Sequence, residues 1–310
     1  MNAASTIEEN KTYSLILGNW EASDILRLFF RSCNKDLTPI RDLFICFFSI
    51  VASWTIGFIF QSWWVYCITF LAVTSSLIGY VSLVHEAFHD NLSLKTINDF
   101  IGRWIIAPAL LMDYDSEREI HLSHHKYVGT KDDPTLEAYS ISVKQLWKEL
   151  ILRILFIGSF IWIIRKRLSP KVKIKNQSTV FKFAKTLYML TVQTSIFCLF
   201  LIFVPWSYLW NWVLPLVASS VLSSVREFGE HKSFDNVHDV CLVTTRARYL
   251  ERLFISGCNF NEHAAHHLFP SIPYNRLPEL TDLLDKYGWP QTRLPVFKRF
   301  TYLKNLFQFN

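Results

Sequence analysis

Two long stretches of the chain contain no Asp, Glu, Lys or Arg: residues 43–84, 42 positions, and residues 186–225, 40 positions. An α-helix rises about 1.5 Å per residue, so about 20 apolar residues cross a hydrocarbon core about 30 Å thick. Each stretch is therefore long enough to cross twice. Each is also interrupted near its middle, by Gln61 and Ser62 in the first and by Pro205, Trp206 and Ser207 in the second. The pattern predicts four transmembrane helices, at about 43–60, 63–84, 187–204 and 208–225, paired as two hairpins. The competing reading is a very apolar soluble core, but soluble helices rarely exclude charge over such lengths.

Two shorter apolar segments are expected to lie in the membrane interface. Residues 154–164 run between Arg153 and Arg165 and are too short to cross. Residues 104–112 carry a Trp and a nearby Arg suited to the headgroup region. A short amphipathic helix is expected near residues 26–30, and residues 279–287, between Pro278 and Gly288, read as a cap helix. The first 40 residues are polar and mixed, so no cleavable signal is expected.

Basic residues set the orientation. The hairpin turns contain none, whereas Lys35 and Arg41 precede the first span and Arg165, Lys166, Arg167, Lys171, Lys173 and Lys175 lie between the hairpins. The positive-inside rule places both termini and the connector in the cytoplasm, at a bacterial inner membrane or an endoplasmic reticulum. The net charge of +6 then reflects anionic headgroups and calls for no nucleic-acid partner.

Composition agrees: 51% hydrophobic, 16% aromatic and only 19% charged residues exclude disorder and small disulfide scaffolds. A mean hydropathy of +0.20 is nevertheless too low for a chain made only of spans. Six scattered cysteines (33, 46, 67, 198, 241 and 258) form no CxxC pair and read as small apolar residues. The sequons at Asn91 and Asn176 fall on the cytoplasmic side and are expected to be unused.

The polar remainder holds the chemistry. Of ten histidines, His85 and His89 form HEAFH, His121, His124 and His125 form HLSHH, and His263, His266 and His267 form HAAHH. His231 stands alone just past the fourth span, and His238 is left over. Positions i, i+3 and i+4 share a helix face, so each cluster can aim its imidazoles at one point. Nine imidazoles exceed the four ligands of a tetrahedral zinc; divided over two metals they give four or five each, which favours two iron ions.

Two other readings compete. HEAFH is an HExxH sequence, which in a membrane zinc protease would supply His85 and His89 as ligands and Glu86 as general base. That leaves both HxxHH boxes unexplained. A metal carrier or an inactive binding protein predicts damaged boxes, and none is damaged.

The boxes HEAFHD, HLSHHKYVGTKDDP and NEHAAHHLFPSIPYNRLPEL resemble those of the integral-membrane fatty acid desaturase and hydroxylase superfamily, over about residues 43–290. The resemblance implies one all-α membrane domain over 1–310: four spans in two hairpins, interfacial helices, and a cytosolic helical cap holding a non-haem di-iron site. Carried over by motif, the metal ligands are His85, His89, His121, His124, His125, His263, His266 and His267. His231, in an Arg226-x-x-x-Glu230-His231 pattern, resembles a ninth. O2 is the implied co-substrate and a membrane lipid the implied substrate. Fatty acyl desaturation is the leading reaction, with hydroxylation or ketolation of a fatty acid or carotenoid as the alternative.

Several details narrow the likeness. Box one has three residues between its histidines, where acyl-CoA delta-9 desaturases usually have four. Box three opens with His263 instead of the Gln typical of front-end enzymes. Glu227 occupies the position where acyl-CoA enzymes hold a metal water through Asn. No HPGG signature of a fused cytochrome b5 occurs, so a separate donor of ferredoxin or cytochrome b5 type is expected. Glu86, Asp90, Asp133, Glu230 and Glu262 are candidates to orient the imidazoles.

Overall fold

A computed structural model describes residues 37–92, 95–155, 178–231, 242–245, 247–287, 296–298 and 302. The expected helix at 26–30, the connector from 156 to 177, Cys33, Cys241 and His238 lie outside these residues.

The first charge-free stretch forms α1 (Thr38–Phe60) and α2 (Trp63–Phe88). Pro39 starts α1 where its missing N–H costs nothing, and Gln61, at φ 42°, turns the chain in the left-handed region. The helices outrun the predicted spans because a span ends where charge begins, whereas a helix ends where its backbone pairing ends. Thus α2 continues through the whole HEAF sequence.

The chain then forms α3 (Lys95–Phe100), a π-helical segment Ile101–Ile106 and a turn Ala107–Ala109. It continues with α4 (Tyr114–Tyr127), α5 (Leu136–Tyr139) and α6 (Val143–Ile154). The second charge-free stretch gives α7 (Thr179–Phe203), a π-helical segment Leu209–Val213 and α8 (Leu214–Glu230). Beyond these come β1 (Leu242–Thr244), α9 (Tyr249–Phe254), α10 (His263–Leu268), α11 (Leu277–Tyr287) and β2 (Val296–Lys298). The strands pair in parallel, Val243 opposite Phe297, a short departure from the helices that dominate the described residues.

Among the described residues, three helices (α1, α2 and α7) are long and apolar enough to cross a membrane. Their outer faces expose Phe44, Phe48, Ile68, Phe183 and Ile202, the side chains that water would reject and lipid accepts. Inside the bundle, Thr69 donates to Asn211 Oδ1 at 2.6 Å, and Trp54 Nε1 donates to the Asn211 carbonyl at 3.1 Å. Gly57 permits this approach: a Cβ there would meet Asn211 Nδ2 at 3.2 Å.

The segment expected to lie flat at 104–112 instead packs into the bundle, with Ile106 and Ala107 buried. Lys185 of α7 pairs with Asp113 at 2.7 Å and Asp115 at 2.6 Å, forming an ionic layer that Arg103 joins. Gln193, eight residues and so about 12 Å further along α7, donates to the Pro108 carbonyl at 2.8 Å. The segment therefore dips below its own ionic layer. Gln193 satisfies backbone that bilayer lipid could not.

The end of α2 is fixed with equal care. Asn98 Nδ2 and Tyr114 OH donate to the Ala87 carbonyl at 2.7 and 2.9 Å, and Arg118 Nε donates to Phe88 at 2.9 Å. These carbonyls have no partner within the helix. Asp90 leaves it at φ 63°, its two oxygens accepting from Arg118 Nη2 at 2.9 Å and Oδ1 also from Asn98 Nδ2 at 3.3 Å. The last turn of α2, with its two histidines, is thereby held against α4.

Candidate metal centre

Helical spacing puts His85 and His89 on one face of the α2 end, and His121 and His125 on one face of α4. Box three enters on α10. His85, His89, His121, His125 and His266 form one set, with a ligand nitrogen of each within 4.8 Å of the others. His124, His231 and His267 form a second set within the same limit. His263 adjoins the second set: its Nε2 lies 2.9 Å from His231 Nε2, and its ring centroid lies 4.5 Å from that of His267. All nine histidines singled out from the sequence thus converge, five and four. The two sets touch through His125 and His267, whose rings stack 4.0 Å apart.

The donor chemistry suits a metal. Burial, followed by repulsion from neighbouring cations, pushes His89, His121, His125, His231, His263 and His267 well below the ordinary value of 6.5, and takes His266 to about 3. Neutral imidazole is the ligand form. Buried nitrogens of His85, His125, His231, His263, His266 and His267 have no hydrogen-bond partner. Buried polar atoms normally find one, so this many orphans around two foci fit metal ions. The His89 and His121 Nε2 atoms face each other at 2.7 Å, the arrangement of two lone pairs aimed at one point.

The five candidate carboxylates divide. Asp133 accepts from His124 Nδ1 at 2.9 Å and from the Thr135 amide at 2.8 Å, and it also pairs with Tyr139 OH. Its burial would raise its carboxyl, but the His124 bond and charge outweigh that and hold it at about 2. Glu230 lies 3.5 Å from His263 Nδ1 and accepts from Tyr302 OH at 2.9 Å. Glu86 lies 3.9 Å from His85 Nδ1, but its other oxygen is held by Asn91 Nδ2 and the Tyr274 amide, both at 3.1 Å. Asp90 faces Arg118, and Glu262 accepts from Thr281 and Asn261 at 2.8 Å; among the described residues neither bonds an imidazole. Glu227 belongs to neither histidine set.

Four contacts had no sequence signal. Thr135 Oγ1 lies 2.9 Å from His124 Nδ1, and Tyr139 stacks on His231 at 4.6 Å. Tyr302 arrives from a distant part of the chain. Phe260 lies edge-on to His85 at 4.2 Å, with the Arg226 guanidinium 4.5 Å above its ring.

A zinc protease fits this geometry poorly. His85 and His89 share their focus with three further imidazoles, more ligands than zinc takes. Glu86 is turned toward Asn91 and Tyr274, away from the work of a general base.

Comparison with known proteins agrees. The chain is 25% identical over 275 residues, covering 79% of its length and 77% of the relative's, to dihydrorhizobitoxine desaturase of Bradyrhizobium elkanii. The fatty acid desaturase family profile matches residues 61–300, which takes in all three histidine boxes, both histidine sets and the helices that carry them. This chain, a membrane-type oxidoreductase, belongs to the fatty acid desaturase family.

Proposed function

We propose that the protein carries out O2-dependent desaturation of a lipid acyl chain at a non-haem di-iron centre. The observation that carries this reading is the five-and-four division of nine converging imidazoles, five buried and four half-buried. His85, His89, His121, His125 and His266 would hold one iron, and His124, His231, His263 and His267 the other. The chemistry such an iron pair supplies when bound is O2 activation for removing hydrogen from an unactivated C–H bond. Forming one C=C bond while reducing O2 to two waters consumes two further electrons and two protons, which a separate donor of ferredoxin or cytochrome b5 type would deliver.

The protein's own part is positional. Asp133 and Thr135 fix the tautomer and direction of His124. Glu230, held by Tyr302, faces His263 Nδ1 at 3.5 Å and places a carboxyl group beside that ring. Phe260 packs against His85 and keeps that side of the centre dry.

The placement is four spans, α8 with its π-helical start being the fourth, with both termini and the metal centre cytoplasmic. The charge-free second stretch, long enough for two crossings, supports it. Two irons per chain by metal analysis, and a new alkene in the lipids of an expressing host, test the reading. The name of the bacterial relative supports desaturation as the reaction, while a hydroxyl or keto product would move this protein to the hydroxylase or ketolase reading.

A further inference from the structure

Helix α9 packs against α2 well below the metal centre. Ser75 Oγ donates to the Leu253 carbonyl at 3.1 Å. Ser75 precedes His85 by ten residues, about 15 Å along the helix. One turn beyond α9, Gly257 closes on the same helix: a Cβ there would stand 3.1 Å from Ile78 and 3.5 Å from the Gly79 amide. A segment between the fourth predicted span and the third histidine box therefore descends along the outside of a membrane-spanning helix.

Its outer face is apolar. Tyr249 is 78% exposed, Leu250 65% and Leu253 38%. On α2, Leu71, one turn from Ser75, and Ile68 are exposed too, so the two surfaces form one continuous band. Exposed Arg248 and Arg252 flank the apolar residues one helical turn apart. Arginines so placed can extend to lipid phosphates while their neighbours enter the acyl region.

We propose that α9 is seated in the cytoplasmic leaflet, with Tyr249, Leu250 and Leu253 against acyl chains and Arg248 and Arg252 at the phosphates. The occupant of this face is bilayer lipid. Two observations carry it: the continuity with the α2 band, and the Ser75 hydroxyl spent on a backbone carbonyl that lipid cannot satisfy. Six residues after α9, Phe260 abuts His85, so this segment joins the leaflet directly to the wall of the metal centre. The inference rests on α2 being a span, which the test checks separately.

The test places photoreactive p-benzoylphenylalanine at position 250, or at 249 in a second variant, in the full chain reconstituted into phosphatidylcholine vesicles. Position 71 on α2 reports the span, and exposed position 282 on α11 reports the aqueous cap. Irradiation is expected to give phospholipid adducts at 250, 249 and 71 and none at 282. Adducts at 71 with none at 250 or 249 would overturn the proposal while leaving the span intact. Loss of adducts at 71 as well would overturn both the span and the proposal built on it.

Discussion

The two histidine sets are held by different means. The five-histidine set stands on the ends of α2 and α4 and on α10, and Glu86 and Phe260 are its close neighbours from outside the set. The second set is wired: Asp133, Thr135, Tyr139, Glu230 and Tyr302 reach His124, His231 or His263 directly or through one carboxylate. The first set owes its geometry to helix placement, the second to supporting side chains: hydrogen bonds at His124, a stacked ring at His231 and a nearby carboxyl group at His263. Damage to a ligand should therefore matter most in the first set, and damage to a supporting group most in the second.

The largest effect is expected from removing a ligand of the helix-held set. His266→Ala takes a nitrogen from the centre of five and should abolish product while lowering iron per chain; wild-type turnover would refute its assignment as a ligand. Acid comes next. Folded imidazoles whose protons are held off by burial face unfolded histidines that titrate near 6.5. The unfolded state then binds more protons, so stability falls as pH drops below about 6.5. A metal-free preparation followed by thermal melting should lose Tm steadily from pH 7 toward about 5, whereas a flat profile would contradict neutral, buried imidazoles.

Asp133→Asn removes the charged partner of His124 and should cost about 10–100-fold in metal affinity or activity. The same readouts on Tyr302→Phe, which leaves Glu230 in place, should show a loss of less than about tenfold. Equal losses would erase the distinction between a direct and a relayed contact. Phe260→Leu, which trims packing against the first set, should lower stability by about 1 kcal/mol and leave metal content unchanged.

Much of this was legible in the sequence for a physical reason. Charge exclusion is a property of composition, so residues 43–84 and 186–225 announced their helices; the i, i+4 spacing announced the shared face of His121 and His125, but boxes two and three do not each aim at one point, since His124 parts from His121 and His125, and His266 from His267. The edges were not legible. Helix α2 runs on to Phe88 because Asn98, Tyr114 and Arg118 finish its carbonyls, and those partners lie beyond the charge-free run. The dip of residues 104–112 depends on Gln193, more than eighty residues away. Asp133 stood out as a carboxylate beside box two, but its partners Thr135 and Tyr139 follow no period. Asp90 and Glu262 are equally suitable by sequence position, and only the fold shows them engaged elsewhere.

In the proposed centre, nine imidazoles hold two iron ions. Metal analysis of the purified full chain, by inductively coupled plasma mass spectrometry against protein concentration from amino-acid analysis, addresses it most directly. About two irons per chain are expected, with five imidazoles at one ion and four at the other. One zinc per chain, with iron absent, would contradict that centre.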